Sequence, residues 1–287
     1  ARKRLTPLPS RARSWNTSRM ELGLHGKKAL VTGSHRGTGA VMAAHLAAEG
    51  ATVFVHGLEA DSGQEGLAQE LSAAGLRAHA VTGDIRNDAG ADRLLHELTQ
   101  HAQGIDILVN NYGAPASGNW HSATPDQWIE VYQQNVLSAV RMIDRFVPGM
   151  RAQRWGRVLQ IATIGALRPN KRMPHYYASK AAMANLTASL VKELAGTGIT
   201  VNTLSPGLIH TAEVEANFRA LAQRHGWGDD WAEIEARGVE RLMPNPCGRM
   251  ARREEVADLV AFIASERAGY LNGAHLRIDG GATDLTF

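Results

Sequence analysis

Two adjacent tyrosines and a lysine in the segment PHYYASK suggest acid–base chemistry on a helix. Tyr176 lies four residues before Lys180, and Tyr177 lies three residues before it. On a helix, both spacings place a phenol and an ammonium on the same face. A nearby positive charge favours the phenolate and lowers the pKa of a tyrosine, so the segment can hold a proton donor and acceptor. At roughly 100° per residue, the helix geometry favours Tyr176 only slightly.

A glycine-rich segment near the N-terminus suggests a binding site for a diphosphate. The segment VTGSHRGTG, residues 31–39, lies between a short apolar run and a helical pattern. Its glycines Gly33, Gly37 and Gly39 allow a tight turn and a close approach of the backbone to a ligand. A helix that begins there offers free N–H groups and its positive dipole end to phosphates. Alone the motif is a moderate indication, because its spacing differs from G-x-G-x-x-G.

The elements that must position these residues alternate between β-branched apolar runs and longer helical patterns. Strands are predicted at 28–32, 51–56, 78–82, 105–110, 157–161, 199–204 and 276–278. Helices are predicted between most of them, at 39–49, 62–74, 89–102, 125–150 and 176–195. This order predicts a single doubly wound, Rossmann-like α/β domain, with about seven parallel strands and helices on both faces.

Several motifs, in order, resemble the short-chain dehydrogenase/reductase family over about residues 27–281. TGxxxGxG near the N-terminus and YxxxK in the second half are its main signatures. Further matches are Asp84, NNYG at 110–113, Asn135, SPG at 205–207 with Thr211, and IDGG at 278–281. The resemblance implies hydride transfer between a nicotinamide cofactor and the carbon of a ketone or secondary alcohol.

The resemblance also implies four catalytic residues. Tyr176 matches the family tyrosine and is expected to exchange a proton with the substrate oxygen, whereas Tyr177 is expected to pack. Lys180 is expected to lower the Tyr176 pKa and to hold the nicotinamide ribose, and Asn135 to support a water chain to Lys180. Thr163 stands where the family has serine and keeps a hydroxyl for the substrate oxygen. A purely structural threonine with weakened catalysis is the alternative there.

The cofactor-binding residues implied by the resemblance follow the ends of the predicted strands. They are Gly33, Ser34, His35, Arg36, Gly37, Thr38, Gly39, His56, Gly57, Asp84, Ile85, Asn110, Asn111, Gly113, Tyr176, Lys180, Pro206, Gly207, Ile209 and Thr211. Asp84 could instead cap the next helix. Tyr112 replaces an alanine of the family, which places a bulky ring near the cofactor or the glycine-rich turn.

The type of nicotinamide cofactor depends on the end of the second strand. NAD-specific members carry an aspartate at about position 57, where this chain has Gly57. The planar guanidinium of Arg36 could bind the 2′-phosphate of NADP, and His56 could assist. NADP(H) is therefore favoured, and NAD(H) is the alternative.

The positive net charge comes from a basic N-terminal extension, residues 1–24, which precedes the domain at 25–287. Residues 1–20 hold six Arg or Lys and no acid, and removing these charges from the net +3 leaves −3. The favoured interpretation is an upstream extension before a start at Met20. Contact with nucleic acid or a membrane, or a transit peptide, are the alternatives, and the acidic remainder argues against nucleic acid.

A break in the strand–helix rhythm at about 207–247 predicts a lid over the substrate site. This segment contains Phe218, Trp227 and Trp231, which favour a partly apolar substrate if they face it. An ordinary helical excursion on the surface is the alternative.

The composition restricts the remaining classes. Cys247 is the single cysteine, so an intrachain disulfide is impossible, and no histidine spacing predicts a metal site. No apolar run approaches the roughly 20 residues of a membrane span. We therefore expect a cytoplasmic protein without a nucleic-acid or membrane partner, and the resemblance implies a homotetramer or homodimer.

The expected function is an NADP(H)-dependent oxidoreductase that acts on a small-molecule ketone or secondary alcohol. A 3-oxoacyl thioester reductase and a sugar, polyol or xenobiotic carbonyl reductase are the subclasses left open. A non-catalytic sensor or scaffold that only binds the dinucleotide is the alternative class. The presence of Tyr176, Lys180 and Asn135 argues against that alternative.

Overall fold

The computed structural model describes residues 21–60 and 62–284, and its centre is a seven-stranded parallel sheet. The strands are β1 Lys28–Val31, β2 Thr52–Gly57, β3 Arg77–Thr82, β4 Ile107–Asn110, β5 Gly156–Ile161, β6 Ile199–Pro206 and β7 His275–Ile278. Their order is β3-β2-β1-β4-β5-β6-β7, and each neighbouring pair is parallel. The predicted doubly wound α/β fold is confirmed.

Helices cover both faces of this sheet. They are α1 Gly37–Ala48, α2 Gln64–Ala73, α3 Asp88–Thr99, α4 Pro125–Tyr132, α5 Ser138–Gln153, α6 Pro174–Glu193, α7 Ala212–His225, α8 Trp231–Leu242 and α9 Arg253–Ala264. Helices α1, α2 and α9 pack against one face, and α3, α5 and α6 against the other. Successive strand residues alternate between the two cores, as Val31 and Leu30 do, because side chains in a strand have a period of two.

The strand order reverses its direction at β1 and β4, and this places a crevice at their carboxyl ends. The two ends are tied together by side chains. Asn111 Nδ2 donates to the Thr32 carbonyl at 2.9 Å, and the Tyr112 N–H donates to Thr32 Oγ1 at 2.9 Å. The backbone beside the crevice is therefore fixed from both strands.

One helix was predicted over 125–150, but the structure divides it. A π-helical turn, Gln133–Leu137, joins α4 to α5 and contains Asn135. The wider turn is of a kind that occurs mostly as single turns inside α-helices, and often at functional sites. The hydrophobic period of the sequence does not reveal it, since the flanking helices keep their own periods.

The segment predicted as a lid, 207–247, contains α7 and α8 and has a small core of its own. Phe218 is buried in that core, and Trp227 and Trp231 pack against it. These aromatic side chains stabilise the segment itself, so they no longer favour an apolar substrate.

The described part of the basic extension is short. Residues 1–20 lie outside the described residues, whereas Leu24 belongs to one of the two cores of the sheet and Leu22 packs against that core. In residues 21–60 and 62–284, no helix has both the length and the apolar character needed to cross a membrane. The same residues contain no group of three or more metal-ligating side chains.

Candidate active site

The glycine-rich turn joins β1 to α1 at the carboxyl edge of the sheet. Gly33 and Gly37 each have a φ of 62°, in the left-handed region that glycine adopts most readily. At Gly39 a Cβ atom would lie 2.5 Å from Asn111 Nδ2, so this glycine is required by the close approach of β4. No side chain caps the N-terminus of α1. Its first N–H groups can therefore bind an anion.

His56 holds this turn from the end of β2. Its Nδ1 accepts from the Gly33 N–H at 2.9 Å, and its Nε2 donates to the Gly83 carbonyl at 2.8 Å. Ser34 Oγ accepts from the His56 N–H at 2.9 Å. Burial lowers the pKa of His56 to about 4, so the imidazole is neutral. With both nitrogens engaged, the His56 ring cannot assist at a 2′-phosphate as the sequence suggested; it positions the turn.

Position 57, at the end of β2, carries no acidic side chain, and the surrounding atoms leave no space for one. A Cβ atom at this position would lie 2.3 Å from Oε1 of the buried Gln64. The sequence pattern did not point to Gln64, because the contact joins the end of β2 to the first residue of α2.

Arg36 lies directly before Gly37 in the turn, and its side chain is exposed. Its Nη1 lies 3.1 Å from Glu213 Oε1, in the first turn of α7. The ion pair links the turn to the segment predicted as a lid. Glu213 is a second residue that the sequence did not reveal, since its partner is 177 positions away.

Asp84 and Ile85 follow β3. Asp84 accepts from Nε and Nη2 of Arg86 at 2.8 Å and 3.0 Å, and this pairing holds the Asp84 pKa below its usual value. The cap of α3 is Asn87, so the alternative of Asp84 as a helix cap is wrong. Ile85 is buried.

His35 lies in the glycine-rich turn, and burial lowers the pKa of its imidazole.

Tyr112 lies against the glycine-rich turn, one of the two positions expected for it. A Cβ atom at Gly33 would lie 3.3 Å from Tyr112 Cδ2. The neighbouring Asn110 is buried, and its side chain has no hydrogen-bond partner among the described residues.

Lys180 is a buried cation at the centre of the site. Its Nζ donates to the Ile161 carbonyl at 2.9 Å, and burial lowers its pKa to about 8. At Gly113 a Cβ atom would lie 3.1 Å from Lys180 Nζ and 2.3 Å from Asn135 Oδ1. At Gly113, the loop after β4 therefore lies against both Lys180 of α6 and Asn135 of the π-turn. Only glycine leaves enough space for this contact.

Asn135 is fully buried beside this ammonium. Its Nδ2 donates to the carbonyls of Ala114 at 3.2 Å and Val131 at 3.1 Å. Its Oδ1 accepts no hydrogen bond from any described residue. The orientation of this amide is fixed by its two bonds, and its oxygen can accept a further donor.

The two tyrosines have different surroundings. Tyr177 packs against Gly165, and its Oη accepts from Asn170 Nδ2 at 3.2 Å. Tyr176 is only partly buried, and no hydrogen bond to its hydroxyl is found among the described residues. Burial raises the Tyr176 pKa, with a smaller contribution from Tyr177. The expected lowering by Lys180 is therefore not seen in this structure.

Thr163 lies two residues after the end of β5 and caps a short 3₁₀ turn, Ile164–Ala166, through its Oγ1. It lines a cavity of about 220 Å³. The same cavity is lined by Arg168 and Asn170, from the loop after β5, by Tyr177 rather than Tyr176, and by 242–244, at the end of α8 and just after it. The segment predicted as a lid thus forms one wall of the space beside Thr163.

The loop after β6 leads from the sheet into that segment. Pro206 is the last residue of β6, and the Gly207 N–H donates to the Ile278 carbonyl at 2.9 Å. Ile209 forms a bridge with Ala251. Thr211 caps α7, and its Oγ1 accepts from the Val214 N–H at 3.3 Å.

Comparisons with known proteins agree with this arrangement. The family described as short chain dehydrogenase matches residues 27–221. The chain belongs to this family. The resemblance seen in the sequence is confirmed, and the elements that carry the TGxxxGxG and YxxxK motifs are those that the family match spans.

The similarity of this short-chain dehydrogenase to known proteins extends over nearly the whole chain. It is 35% identical to the uncharacterized oxidoreductase YvaG of Bacillus subtilis, over 93% of this chain and 100% of that protein. It is 31% identical to the 3-oxoacyl-(acyl-carrier-protein) reductase FabG of Aquifex aeolicus, over 91% and 99%. The structure of L-sorbose reductase from Gluconobacter frateurii, complexed with NADPH and L-sorbose, is 32% identical with a TM-score of 0.86, over 93% and 100%.

Replacing Lys180 with methionine should change how stability depends on pH. The Lys180 pKa of about 8 lies below its ordinary 10.5, so the unfolded chain binds more protons between these values. The cost of burying the cation is fully present below pH 8 and disappears as the pH rises towards 10.5. From pH 7 to 10, we expect the unsubstituted protein to gain on the order of 2 kcal/mol relative to Lys180→Met. Urea denaturation at several pH values measures this.

The control is Lys171→Met, which removes an exposed lysine from the loop before α6. Its stability relative to the unsubstituted protein should stay constant over the same pH range. If Lys180→Met also shows a constant difference, the ammonium is solvated and the buried-cation description is wrong.

Proposed function

We propose that this short-chain dehydrogenase is an NADP(H)-dependent oxidoreductase that interconverts a ketone and a secondary alcohol, with Tyr176 as general acid and base. One observation carries the proposal. The buried ammonium of Lys180 meets Asn135 and the loop at Gly113, one helical turn from Tyr176. Short-chain dehydrogenases use these residue types for proton exchange. Here they lie together at the carboxyl edge of the sheet.

The residues at this edge fit a dinucleotide. The uncapped start of α1 and the glycine-rich turn would hold the diphosphate, because free N–H groups and a helix dipole favour anions. Lys180 would hold the nicotinamide ribose, and the loop from Gly207 to Thr211 would lie along the nicotinamide. When bound, the cofactor supplies or accepts the hydride.

The preference for NADP(H) rests on charge. No acid stands at Gly57 to meet the adenosine ribose, and Arg36 provides an exposed guanidinium beside the turn. Its ion pair with Glu213 is solvated on both sides, and such exposed pairs are worth little, so a phosphate can replace the carboxylate. The structural relative L-sorbose reductase is complexed with NADPH, which supports the same choice.

Within the site, different side chains would exchange a proton with the substrate oxygen, hold that oxygen and support a water chain. Tyr176 Oη donates a proton to that oxygen in reduction and takes it back in oxidation. Burial raises the Tyr176 pKa in the free protein, which makes the phenol a weaker acid, and the positive charge of a bound oxidised nicotinamide would lower that pKa again. Thr163 Oγ1 would hold the oxygen, and Asn135 Oδ1 offers an acceptor for a water chain towards Lys180.

The cavity beside Thr163 is the proposed substrate site, with the end of α8 as its lid. The sequences of the relatives leave the subclass open, since one acts on a 3-oxoacyl group and another on L-sorbose by name. The homotetramer or homodimer stays a prediction. It agrees with exposed apolar side chains on α4 and α5, namely Ile129 and Val140.

Tyr176→Phe should abolish turnover and leave cofactor binding intact. The change removes only the hydroxyl, and the loss of a general acid typically costs about 10²- to 10⁴-fold in rate. NADPH oxidation with a panel of ketones, sugars and 3-oxoacyl thioesters measures the turnover, and nicotinamide fluorescence measures the binding.

Tyr177→Phe is the matched control, because it removes the neighbouring hydroxyl and loses one bond to Asn170. It should change turnover far less. Equal losses in both variants would speak against Tyr176 as the acid. Tight NADPH binding without turnover of any compound by the unsubstituted protein would favour the sensor or scaffold.

Arg36→Ala should weaken NADPH binding and spare NADH. Loss of a charge-assisted bond to the 2′-phosphate should raise the Kd for NADPH about 10-fold or more, whereas NADH lacks that phosphate. Glu213→Gln, which frees Arg36 from its partner, should bind NADPH at least as tightly as the unsubstituted protein. A similar loss for both cofactors in Arg36→Ala would show that Arg36 does not read the phosphate.

A further inference from the structure

We infer that Gln64 is a specificity-determining residue: it fills the place of the ribose-binding acid at the end of β2 and thereby sets the preference for a 2′-phosphate. The inference deepens the proposed function and rests on it.

The end of β2 lies directly beside the glycine-rich turn. The Ser34 N–H donates to the His56 carbonyl at 3.0 Å, and the His56 N–H donates to Ser34 Oγ. Gly57 is the next residue, and it is buried. A side chain at position 57 would therefore stand next to the turn that binds the diphosphate.

Gln64, the first residue of α2, is fully buried and its amide nitrogen is anchored. Nε2 donates to the Glu59 carbonyl at 2.9 Å and to Thr82 Oγ1 at 2.9 Å. A third acceptor, the Ala60 carbonyl, lies at 3.4 Å. Three acceptors around one nitrogen fix which end of the amide is the nitrogen and which is the oxygen. The side chain thus also ties the loop after β2 to β3.

The amide oxygen of Gln64 faces Gly57. Oε1 accepts no hydrogen bond from the described residues, and a Cβ atom at position 57 would lie 2.3 Å from it. The same Cβ would lie 2.8 Å from the Cβ of Ser62. Gly57 does not have a positive φ, so the glycine is required by lack of space and not by the backbone. Gln64 and Gly57 therefore form a matched pair that excludes an acid.

The pair has an electrostatic consequence for the cofactor. An aspartate at position 57 would place a negative charge beside the adenosine ribose and repel a 2′-phosphate. The neutral amide oxygen of Gln64 carries no such charge. The site consequently accepts a phosphate, for which Arg36 supplies the positive charge.

The steric exclusion of a side chain at position 57 by Gln64 is tested by the stability of single and double variants. Gly57→Ala should lower the Tm by about 2–10 °C, because overpacking a filled space is costly. The same substitution should cost less in a Gln64→Ala background, where the 2.3 Å contact with Oε1 is removed and the 2.8 Å contact with Ser62 remains. Gly66→Ala is the control on the same helix: no atom lies within 4 Å of its added Cβ, and its Tm should be unchanged or higher.

The specificity part is tested by cofactor binding to the double variant Gly57→Asp/Gln64→Ala. Fluorescence titration with NADPH and with NADH gives the ratio of the two Kd values. We expect this ratio to shift towards NADH by about 10- to 100-fold relative to Gln64→Ala alone, since the acid can bond the ribose hydroxyl and repels the phosphate.

The outcomes separate this inference from the proposed function. If Gly57→Ala is as stable as Gly66→Ala, or if the double variant keeps the cofactor ratio of Gln64→Ala, the role of Gln64 is wrong. If the unsubstituted protein binds neither nucleotide, the proposed function fails with it, and the stability of the variants still reports whether Gln64 fills the site.

Discussion

The site depends on the burial of the Lys180 ammonium without an acidic partner. Among the described residues it donates to one carbonyl, that of Ile161, and burial brings its pKa to about 8. A buried cation of this kind is costly, and proteins keep such groups mainly where they function. The surrounding backbone is shaped to reach it: the loop after β4 passes at Gly113, and the π-turn turns Asn135 towards the same point.

A second set of contacts connects the glycine-rich turn to the cavity beside Thr163. The glycine-rich turn is supported from β2 by a neutral His56, and its Arg36 reaches across to Glu213 on α7. The same helical segment ends in the residues that wall the cavity beside Thr163. The glycine-rich turn and the wall of the proposed substrate site are therefore joined through an exposed ion pair and a separately packed pair of helices.

Much of the fold and part of the site follow from sequence. The β-branched runs predicted all seven strands to within a few residues, and the order of motifs indicated Tyr176 and Lys180 as partners. Tertiary contacts decided the remainder. Pairing with β7 extends β6 to Pro206, beyond the predicted 204. Burial makes His56 neutral, and the contact between Gln64 and Gly57 depends on how α2 packs against the end of β2. No local pattern encodes these contacts, because each joins residues from different elements.

Tyr176 is proposed to act as the general acid and base of the site, and its pKa with and without cofactor tests this most directly. Its tyrosinate absorbance, taken as the difference between the unsubstituted protein and Tyr176→Phe, should be titrated with and without saturating NADP⁺. The account predicts a pKa above the ordinary 10 in the free protein, because burial raises it. With NADP⁺ bound the pKa should be lower, since the positive nicotinamide would favour the phenolate. An unchanged pKa on binding would contradict the account.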